Sequence, residues 1–268
     1  HMVIEAARHW RDVEPAADLF CDRFGVTGSG NFEGRTVLGI AETVESLAGA
    51  HDLAESEAQE ILSAARQAVF DAREARPRPP RDEKVLAGWN GLAISAFAEA
   101  GLVLEPAYAD RAVEALDFVR EHLWDGERLS RRYRDGEVGV EGYLQDYAFL
   151  ARAALDCYQV TGDVEHLAFA LDLARAIEAD FWDDERGALF FTPTGGETLL
   201  ARPQELSDQS TPSSAGVAVD VLLALSHFAP DDGFESIADD ALSTYGSRID
   251  SNPLQHAALT LAADRRER

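Results

Sequence analysis

The chain has 268 residues, of which 49 are acidic and 24 are basic, so its formal net charge is −25. A negative field of this size repels nucleic acid and anionic membranes, and we expect neither as a partner. Lys84 is the only lysine. An acidic, lysine-poor composition is typical of proteins whose surfaces stay hydrated in concentrated salt, as in halophilic organisms.

The first two residues, His1 and Met2, resemble the remnant of a cleaved expression tag, so the fold prediction covers 3–268. We find no run of about 18 apolar residues and no signal segment, which predicts a cytoplasmic protein. Cys21 and Cys157 have no CxxC partner and lie in apolar, helix-like surroundings. They are predicted to be buried thiols rather than disulfide partners or metal ligands.

Apolar residues recur at helical spacing along most of the chain, and Gly- or Pro-rich breaks separate the periodic segments. The predicted helices cover 5–24 (with Ile4, Ala7 and Trp10, and a break at Pro15), 35–50, 55–75, 89–104, 107–124, 143–161, 164–182, 212–228, 233–247 and 253–263. This content is far above the usual one-third helix and predicts an all-α fold.

Two of the breaks have β character. Residues 128–134 and 137–140 flank Asp135-Gly136, a sequence typical of a tight hairpin turn. Residues 188–191 and 198–200, joined across Gly195-Gly196, predict a second hairpin.

The hairpins occupy matching places in an internal repeat. A helix ends at Trp124, a hairpin follows, and a new helix starts near Asp146; the same order recurs from Trp182 to Ser213. A helix pair cannot bury both apolar faces alone, so such pairs stack side by side. The repeat therefore predicts an (α/α) toroid of the six-hairpin type, with its β-hairpins on one rim and fewer helices than a full ring.

On this topology the helices predicted at 89–104, 143–161 and 212–228 form the inner ring, because they are richest in small and apolar residues. Their N-termini would then converge on one mouth. Aromatic faces next to carboxylates and hydroxyls suit a sugar ring, which offers C–H faces and hydroxyl groups. The residues predicted to bind substrate there are Trp89, Asn90, Tyr143, Tyr147, Arg132, Tyr133, Arg202 and Ser213.

Carboxylates near the rim provide the acid–base candidates, because two carboxylates across a cleft can divide the acid and base roles of glycoside chemistry. The pool consists of Glu141, Asp146, Glu205 and Asp208. We predict Asp146, Asp208 and Glu141 as catalytic residues. The alternative for Asp146 and Ser213 is helix capping, and for the arginines it is pairing with nearby acids.

The histidines lie near helix ends or on outer faces and lack metal-ligand spacing, so no metal is predicted. Nucleotide-binding and serine-hydrolase motifs such as GxGxxG and GxSxG are absent from the sequence, and no cofactor is predicted.

Several strings resemble the YyaL-like family of thioredoxin-domain-containing proteins (DUF255). These are GNFEG at 30–34, DEKVLAGWNGL at 82–92, QDYAFL at 145–150, FWD at 181–183, and Arg202 with Asp208 and Pro212-Ser213. The resemblance implies an N-terminal thioredoxin-like domain followed by an (α/α) barrel similar to N-acylglucosamine 2-epimerases and six-hairpin glycosidases. This chain matches the barrel portion only, so it is expected to be a fragment of a longer protein.

Two departures from the family pattern matter. The sequence does not match the thioredoxin-like portion with its cysteines, so no redox function is predicted for this chain. Where the family reads PSGN, this chain reads Pro212-Ser213-Ser214-Ala215. The epimerases that the fold resembles use a histidine pair, which we cannot place at the mouth. Two functions therefore remain open: a carbohydrate-active or carbohydrate-binding barrel, acting by carboxylate-driven hydrolysis or by isomerisation or epimerisation, and a non-catalytic scaffold that docks a thioredoxin-like domain or another partner.

Overall fold

The computed structural model describes residues 14–195 and 201–268. Packing divides the chain into two compact units, with the division between Arg81 and Asp82. We call the described residues before this division the N-terminal unit and those after it the C-terminal unit. The single domain predicted for 3–268 stays a prediction. Within the described residues, no helix is long and apolar enough to cross a membrane.

The N-terminal unit contains three described helices: α1 (Glu14–Phe24), α2 (Val44–Ala50) and α3 (Glu55–Glu74). They enclose a small apolar core made of Leu19, Leu47, Ala48, Ala58 and Leu62. The part of the helix predicted before residue 14, with Ile4, Ala7 and Trp10, lies outside the described residues.

The helix predicted at 35–50 is wrong over its first part. Residues 35–43 are not helical, and α2 begins only after Thr43, whose hydroxyl accepts the Ser46 N–H at 3.1 Å. Upstream, the Asn31 amide binds Val37 at both its N–H and its carbonyl oxygen, at 2.8 and 2.9 Å. These bonds satisfy the Val37 backbone outside a helix, so the segment has an alternative to helical pairing.

The C-terminal unit alternates helices with short β elements. Its helices are α4 (Ala87–Val103), α5 (Pro106–Leu123), α6 (Leu144–Thr161), α7 (Val164–Phe181), α8 (Ser214–Ser226), α9 (Phe234–Ser251) and α10 (Ala257–Glu267), with a short 3₁₀ turn at Pro230–Asp232. Its strands are β1 (Val85–Leu86), β2 (Ser130–Arg134), β3 (Glu137–Glu141), β4 (Trp182–Asp183) and β5 (Ala188–Leu189).

These helices form two layers. The inner helices α4, α6, α8 and α10 pack against one another in that order, and the outer helices α5, α7 and α9 pack behind them. The predicted all-α fold with helical hairpins of the (α/α) toroid class is therefore confirmed. The inner assignment of the segments predicted at 89–104, 143–161 and 212–228 is also confirmed, because they correspond to α4, α6 and α8.

Composition explains which helices go inside. Helix α4 contains one charged residue, Glu99, and α8 contains one, Asp220. A helix that is apolar on nearly every side is stable only when neighbours surround it. The outer helices instead bury one apolar stripe, as α5 does through Ala112, Leu116 and Val119.

Glycines bring the inner helices into backbone contact. A Cβ atom at Gly91 of α4 would lie 2.7 Å from the carbonyl carbon of Phe149 in α6. A Cβ atom at Gly216 of α8 would lie 2.8 Å from the Leu259 nitrogen in α10. Real Cβ atoms do not approach backbone so closely, so the spacing at both contacts depends on glycine.

The first predicted hairpin is confirmed: β2 and β3 pair antiparallel around Asp135-Gly136, and β1 adds a third strand. In the second predicted hairpin, β5 pairs antiparallel with the preceding β4. The predicted pairing of 188–191 with 198–200 stays a prediction. Asp183 accepts the Arg186 N–H at 3.0 Å, which closes a tight turn before β5. The predicted partner strand at 198–200 lies outside the described residues.

The internal repeat is confirmed at matching contacts. Trp124 bridges to Leu129 after α5, and Trp182 pairs with Leu189 after α7. In each case the hydroxyl of a buried tyrosine accepts a hydrogen bond from the N–H of that leucine. Tyr147, on the inner helix α6, accepts from Leu129 at 2.8 Å, and Tyr245, on the outer helix α9, accepts from Leu189 at 2.7 Å. Each repeat thus fixes the segment after its Trp by the same type of bond.

Candidate functional site

Asp146 ties together two inner-helix N-termini. It occupies the third position of α6, where its carboxylate accepts the Tyr143 N–H at 3.0 Å in a capping box. The same carboxylate accepts the Gly88 N–H at the start of α4, also at 3.0 Å. Its side chain is 1% exposed. Burial raises the pKa of this carboxyl, although the Tyr143 N–H and the Arg131 charge oppose the shift.

Asp208 joins the starts of the other two inner helices, α8 and α10, in the same way. Its carboxylate accepts the Ser213 N–H at 2.7 Å and the Ala258 N–H at 2.9 Å, at the starts of α8 and α10. Ser213 in turn caps α8 by accepting the Gly216 N–H at 2.9 Å. Capping, the alternative for Asp146 and Ser213, is therefore what their contacts show. A further role in catalysis or binding stays a prediction.

Arg131 places a positive charge next to Asp146. It donates from Nη1 to Asp146 at 2.8 Å, and its guanidinium lies 5.1 Å from the centre of the Tyr143 ring. With its amide oxygen turned inward, Gln145 accepts from the same guanidinium at 2.6 Å. The Tyr143 ring stacks on Phe191, with centroids 4.8 Å apart. The result is an aromatic shelf with a fixed cation above it.

Glu205 is a second carboxylate near Arg131 and Asp146. It accepts a bond from the Ser214 hydroxyl at 3.3 Å, in the first turn of α8. The residue as a whole is exposed, but partial desolvation raises the pKa of its carboxyl. Arg131 lowers that pKa and Asp146 raises it, so the three groups interact electrostatically. We call Arg131, Tyr143, Asp146 and Glu205 the mouth group.

Two further residues predicted to bind substrate lie at the start of α4. Trp89 is 62% exposed and stands one turn before Leu92, which lines a cavity between the inner helices. Asn90 donates its amide to the Leu86 carbonyl at 2.9 Å and is half-buried. Trp89 is therefore available to a ligand, whereas the Asn90 amide already has a backbone partner.

The structure does not bring two of the predicted residues into contact with the mouth group. Glu141 pairs with Arg128 at 3.2 Å on the exposed strand β3. Tyr133 packs edge-on against Phe118 and His122, with ring centroids 5.3 and 5.1 Å apart. Packing within the hairpin and against α5 accounts for Tyr133.

Tyr147, Arg132 and Arg202 also have other surroundings. Tyr147 is buried, and desolvation raises the pKa of its hydroxyl to about 12. Arg132 is half-buried within β2, and its Nε has no partner among the described residues. Arg202 donates to the Thr192 carbonyl at 2.6 Å and belongs to a different surface.

The inner helices line an open cavity of about 710 Å³ that sequence reasoning missed. Arg152 of α6 crosses it, donating to Asp156 at 2.8 Å and to Asp220 of α8 at 2.7 Å. Arg265 of α10 pairs with the same Asp220. Polar or charged residues at i, i+4 spacing on otherwise apolar helices are the signal for this wall: Ser95 and Glu99 in α4, and Arg152 and Asp156 in α6.

Desolvation raises the pKa of Asp156, and Arg152 opposes the shift. Within the described part of the chain, no group of three or more His, Cys, Asp or Glu side chains is arranged to hold a metal ion. The buried thiol predicted at Cys157 is confirmed, whereas Cys21 is only half-buried.

No protein-family model matches the chain. Human spermatogenesis-associated protein 20 is 31% identical over 235 residues, which are 80% of this chain and 30% of that protein. An uncharacterized protein of Caenorhabditis elegans is 26% identical over 92% of this chain and 36% of its own length. The chain thus spans about a third of the curated relatives it matches.

Solved structures show the likeness of fold. A family 76 glycoside hydrolase from a bovine Bacteroides thetaiotaomicron strain gives a TM-score of 0.51 at 11% identity, covering 95% of this chain and 59% of that chain. Cellobiose 2-epimerase of Spirochaeta thermophila gives 0.50 at 16% identity, covering 62% and 44%. An α-mannanase of family GH76 from Bacteroides thetaiotaomicron gives 0.50 at 16% identity, covering 72% and 57%. At these identities the likeness concerns the fold alone, which is an (α/α) barrel.

Proposed function

We propose that the C-terminal unit is a carbohydrate-active (α/α) barrel that binds a sugar at its inner-helix N-termini. The observation that carries this proposal is the mouth group, in which two carboxylates with raised pKa lie next to a stacked aromatic shelf and a fixed guanidinium. Sugar rings stack their C–H faces on aromatic side chains and offer hydroxyl groups to charged ones.

The contacts suggest a division of roles within the mouth group. Asp146 has three donors, two of them backbone N–H groups, so it holds the site together and orients Arg131. Glu205 has one hydroxyl partner and faces solvent, so it is free to exchange a proton. A carboxyl with a raised pKa is a better general acid near neutral pH than an ordinary one. We therefore assign the proton transfer to Glu205.

Two classes of sugar reaction require a proton transfer of this kind. A general acid at the mouth serves the hydrolysis of a glycosidic bond, with Asp146 or Asp208 as the second carboxylate, and also serves isomerisation or epimerisation beside a sugar carbonyl. Named members of the fold include an α-mannanase and a cellobiose 2-epimerase. A shared fold does not transfer a reaction, so we leave both chemistries within the proposal.

The experiment compares matched glutamates. The protein is incubated with mannose, glucose, cellobiose and an α-1,6-mannobiose, binding is measured by calorimetry, and products are separated by chromatography. Glu205→Gln is expected to lower turnover about 100-fold or more, the usual contribution of a general acid. The control is Glu178→Gln on α7, whose carboxyl also has a raised pKa but lies outside the mouth group. Absence of binding by every sugar, or equal loss in both variants, would refute the proposal.

We also propose that the chain is the barrel portion of a YyaL-like cytoplasmic protein whose remainder includes a thioredoxin-like domain. The motifs at 82–92 and 145–150 and the 31% identity to the human relative support this proposal. Expressing the natural full-length gene product and determining its mass and location in cells tests it. A full-length product without a thioredoxin-like domain would contradict it.

A scaffold function is the second candidate, because one observation favours it. Helices α4 and α5 meet in a group of exposed apolar side chains: Phe97, Leu102, Val103, Leu104 and Tyr108. Scaffold proteins present such patches to partners. Val103→Asp should abolish co-sedimentation with a separately expressed thioredoxin-like domain while leaving sugar binding unchanged. A scaffold also predicts a mouth without carboxylates of raised pKa, which the mouth group does not fit, so we rank it second.

A further inference from the structure

Three arginines gather on the surface of the C-terminal unit and are not part of the mouth group. Arg186, Arg202 and Arg248 line a groove of about 500 Å³ together with Phe190, Gln204, Leu206 and Ser207. Among these lining residues none is acidic. In a chain with a net charge of −25, such a concentration of guanidinium groups calls for a counter-charge.

Two of these guanidinium groups are held in place before any ligand arrives. Arg202 donates to the carbonyl oxygens of Thr192 at 2.6 Å and Asp180 at 3.2 Å, and it lies 4.6 Å from the centre of the Phe190 ring. Arg186 lies over the same ring at 5.8 Å. Desolvation lowers the pKa of Arg202, and the positive charge of Arg186 lowers it further although Asp183 opposes both.

The positive charge of the groove is only partly neutralised. Asp183 pairs with Arg186 at 2.6 Å. Arg202 is bonded to neutral carbonyl groups. Arg248, exposed on α9, has no side-chain hydrogen bond or ion pair within the described ranges 14–195 and 201–268. Among the residues that the structure describes, one carboxylate thus faces three guanidinium groups, which leaves a surplus of positive charge.

We propose that this arginine groove, formed by Arg186, Arg202 and Arg248, binds an oxyanion carried by a small molecule, either a phosphate or a carboxylate. Guanidinium groups donate paired N–H bonds that match both oxyanions. A volume of about 500 Å³ is within the usual range of small-molecule sites. Gln204 and Ser207 add neutral polar groups for the rest of the ligand.

The groove is distinct from the mouth group but shares a backbone segment with it. Phe190 lies beneath the two guanidinium groups, whereas its neighbour Phe191 stacks on Tyr143. The two sites therefore meet at residues 190–191. Binding at the groove does not depend on the proposed sugar chemistry, and it can be measured on its own.

The experiment titrates inorganic phosphate and follows its ³¹P resonance and the binding heat at low ionic strength. Saturable binding is expected, and Arg248→Gln should weaken it about tenfold, the usual effect of losing a charged donor. Because Arg248 is exposed, its replacement leaves the fold intact. The control is Arg111→Gln, which removes the same charge from an exposed position on α5 and should leave the affinity unchanged.

Two outcomes overturn the proposal: the absence of saturable binding, or equal weakening by Arg248→Gln and Arg111→Gln, which indicates a general effect of net charge. A comparison of glucose 6-phosphate with glucuronate then distinguishes the two sources of the anion. Tighter binding of the former identifies a phosphate site, and tighter binding of the latter a carboxylate site. Either preference must disappear in Arg248→Gln for the proposal to hold.

Discussion

Asp146 and Asp208 occupy equivalent junctions of the inner layer, but their surroundings differ. Each accepts backbone N–H groups from two helix starts, α4 and α6 in one case and α8 and α10 in the other. Asp146 is almost fully buried and also binds Arg131. Asp208 is half-buried, and its donors among the described residues are both backbone N–H groups. The bonds from each carboxylate to two helix starts are thus a repeated feature of the fold. The Arg131 guanidinium distinguishes the Asp146 junction, where Glu205 also lies.

Asp146→Ala should have the largest effect on stability. The substitution leaves the Arg131 charge without this partner, and it leaves the buried Gly88 N–H and the half-buried Tyr143 N–H without this acceptor. We expect a loss of about 3 kcal/mol in the free energy of unfolding, measured by urea denaturation. Asp117→Ala, at an exposed position on α5, is the control and should change little. A loss below about 1 kcal/mol would mean that Asp146 is not the tie that its contacts indicate.

Asp208→Ala should cost less, about 2 kcal/mol, because it removes a helix cap and one further acceptor but strands no charge. The same denaturation series measures it. If the loss equals that of Asp146→Ala, Arg131 adds nothing to the first junction and the contrast between the two disappears.

The two tyrosine bonds test whether the repeats are energetically equivalent. Tyr147→Phe and Tyr245→Phe each leave one leucine N–H without its acceptor, so each should cost about 1 kcal/mol. Tyr108→Phe, whose hydroxyl lies on an exposed side chain, serves as the matched control. Unequal losses would show that the repeat is geometric only.

Glu205→Gln should have the smallest effect on stability, and the size of that effect depends on pH. A carboxyl whose pKa is higher in the folded than in the unfolded state binds protons more tightly when folded, so its contribution falls as pH rises above the ordinary value of 4.5. At pH 7 the neutral glutamine should therefore be more stable, by no more than about 0.5 kcal/mol because the residue is exposed.

The gain in Glu205→Gln should vanish in unfolding measurements at pH 4, where both states of the wild-type carboxyl are largely protonated. Glu127→Gln, at an exposed position in the turn before β2, should show no such trend. A gain that grows towards low pH would have the wrong sign and would remove Glu205 as the residue with the raised pKa.

Much of the fold could be predicted because the signals are local. The charge-poor segments of α4 and α8 indicate burial, and Asp135-Gly136 predicts its turn from two residues. The helix predicted over 35–43 is wrong because the apolar residues there have a helical spacing, whereas the bonds between Asn31 and Val37 keep the backbone in a non-helical conformation.

The candidate site was only partly predictable, because its contacts join distant parts of the chain. Asp146 was recognisable as a capping residue, but its bond to Gly88 spans 58 residues. Tyr147 looked like a ligand-stacking aromatic, and only the fold shows its hydroxyl buried against Leu129. The arginine groove draws on residues from the β4–β5 turn, the segment before α8 and helix α9, and no local spacing connects them.

Gly91 and Gly216 limit how this protein can diverge. Because backbone faces these two positions directly, a single added methyl group acts as a wedge that moves a whole helix rather than one side chain. Their interhelical contacts cannot be widened gradually by successive small substitutions. New specificities are therefore expected to arise in the hairpins and loops at the rim, while the inner helices keep one spacing.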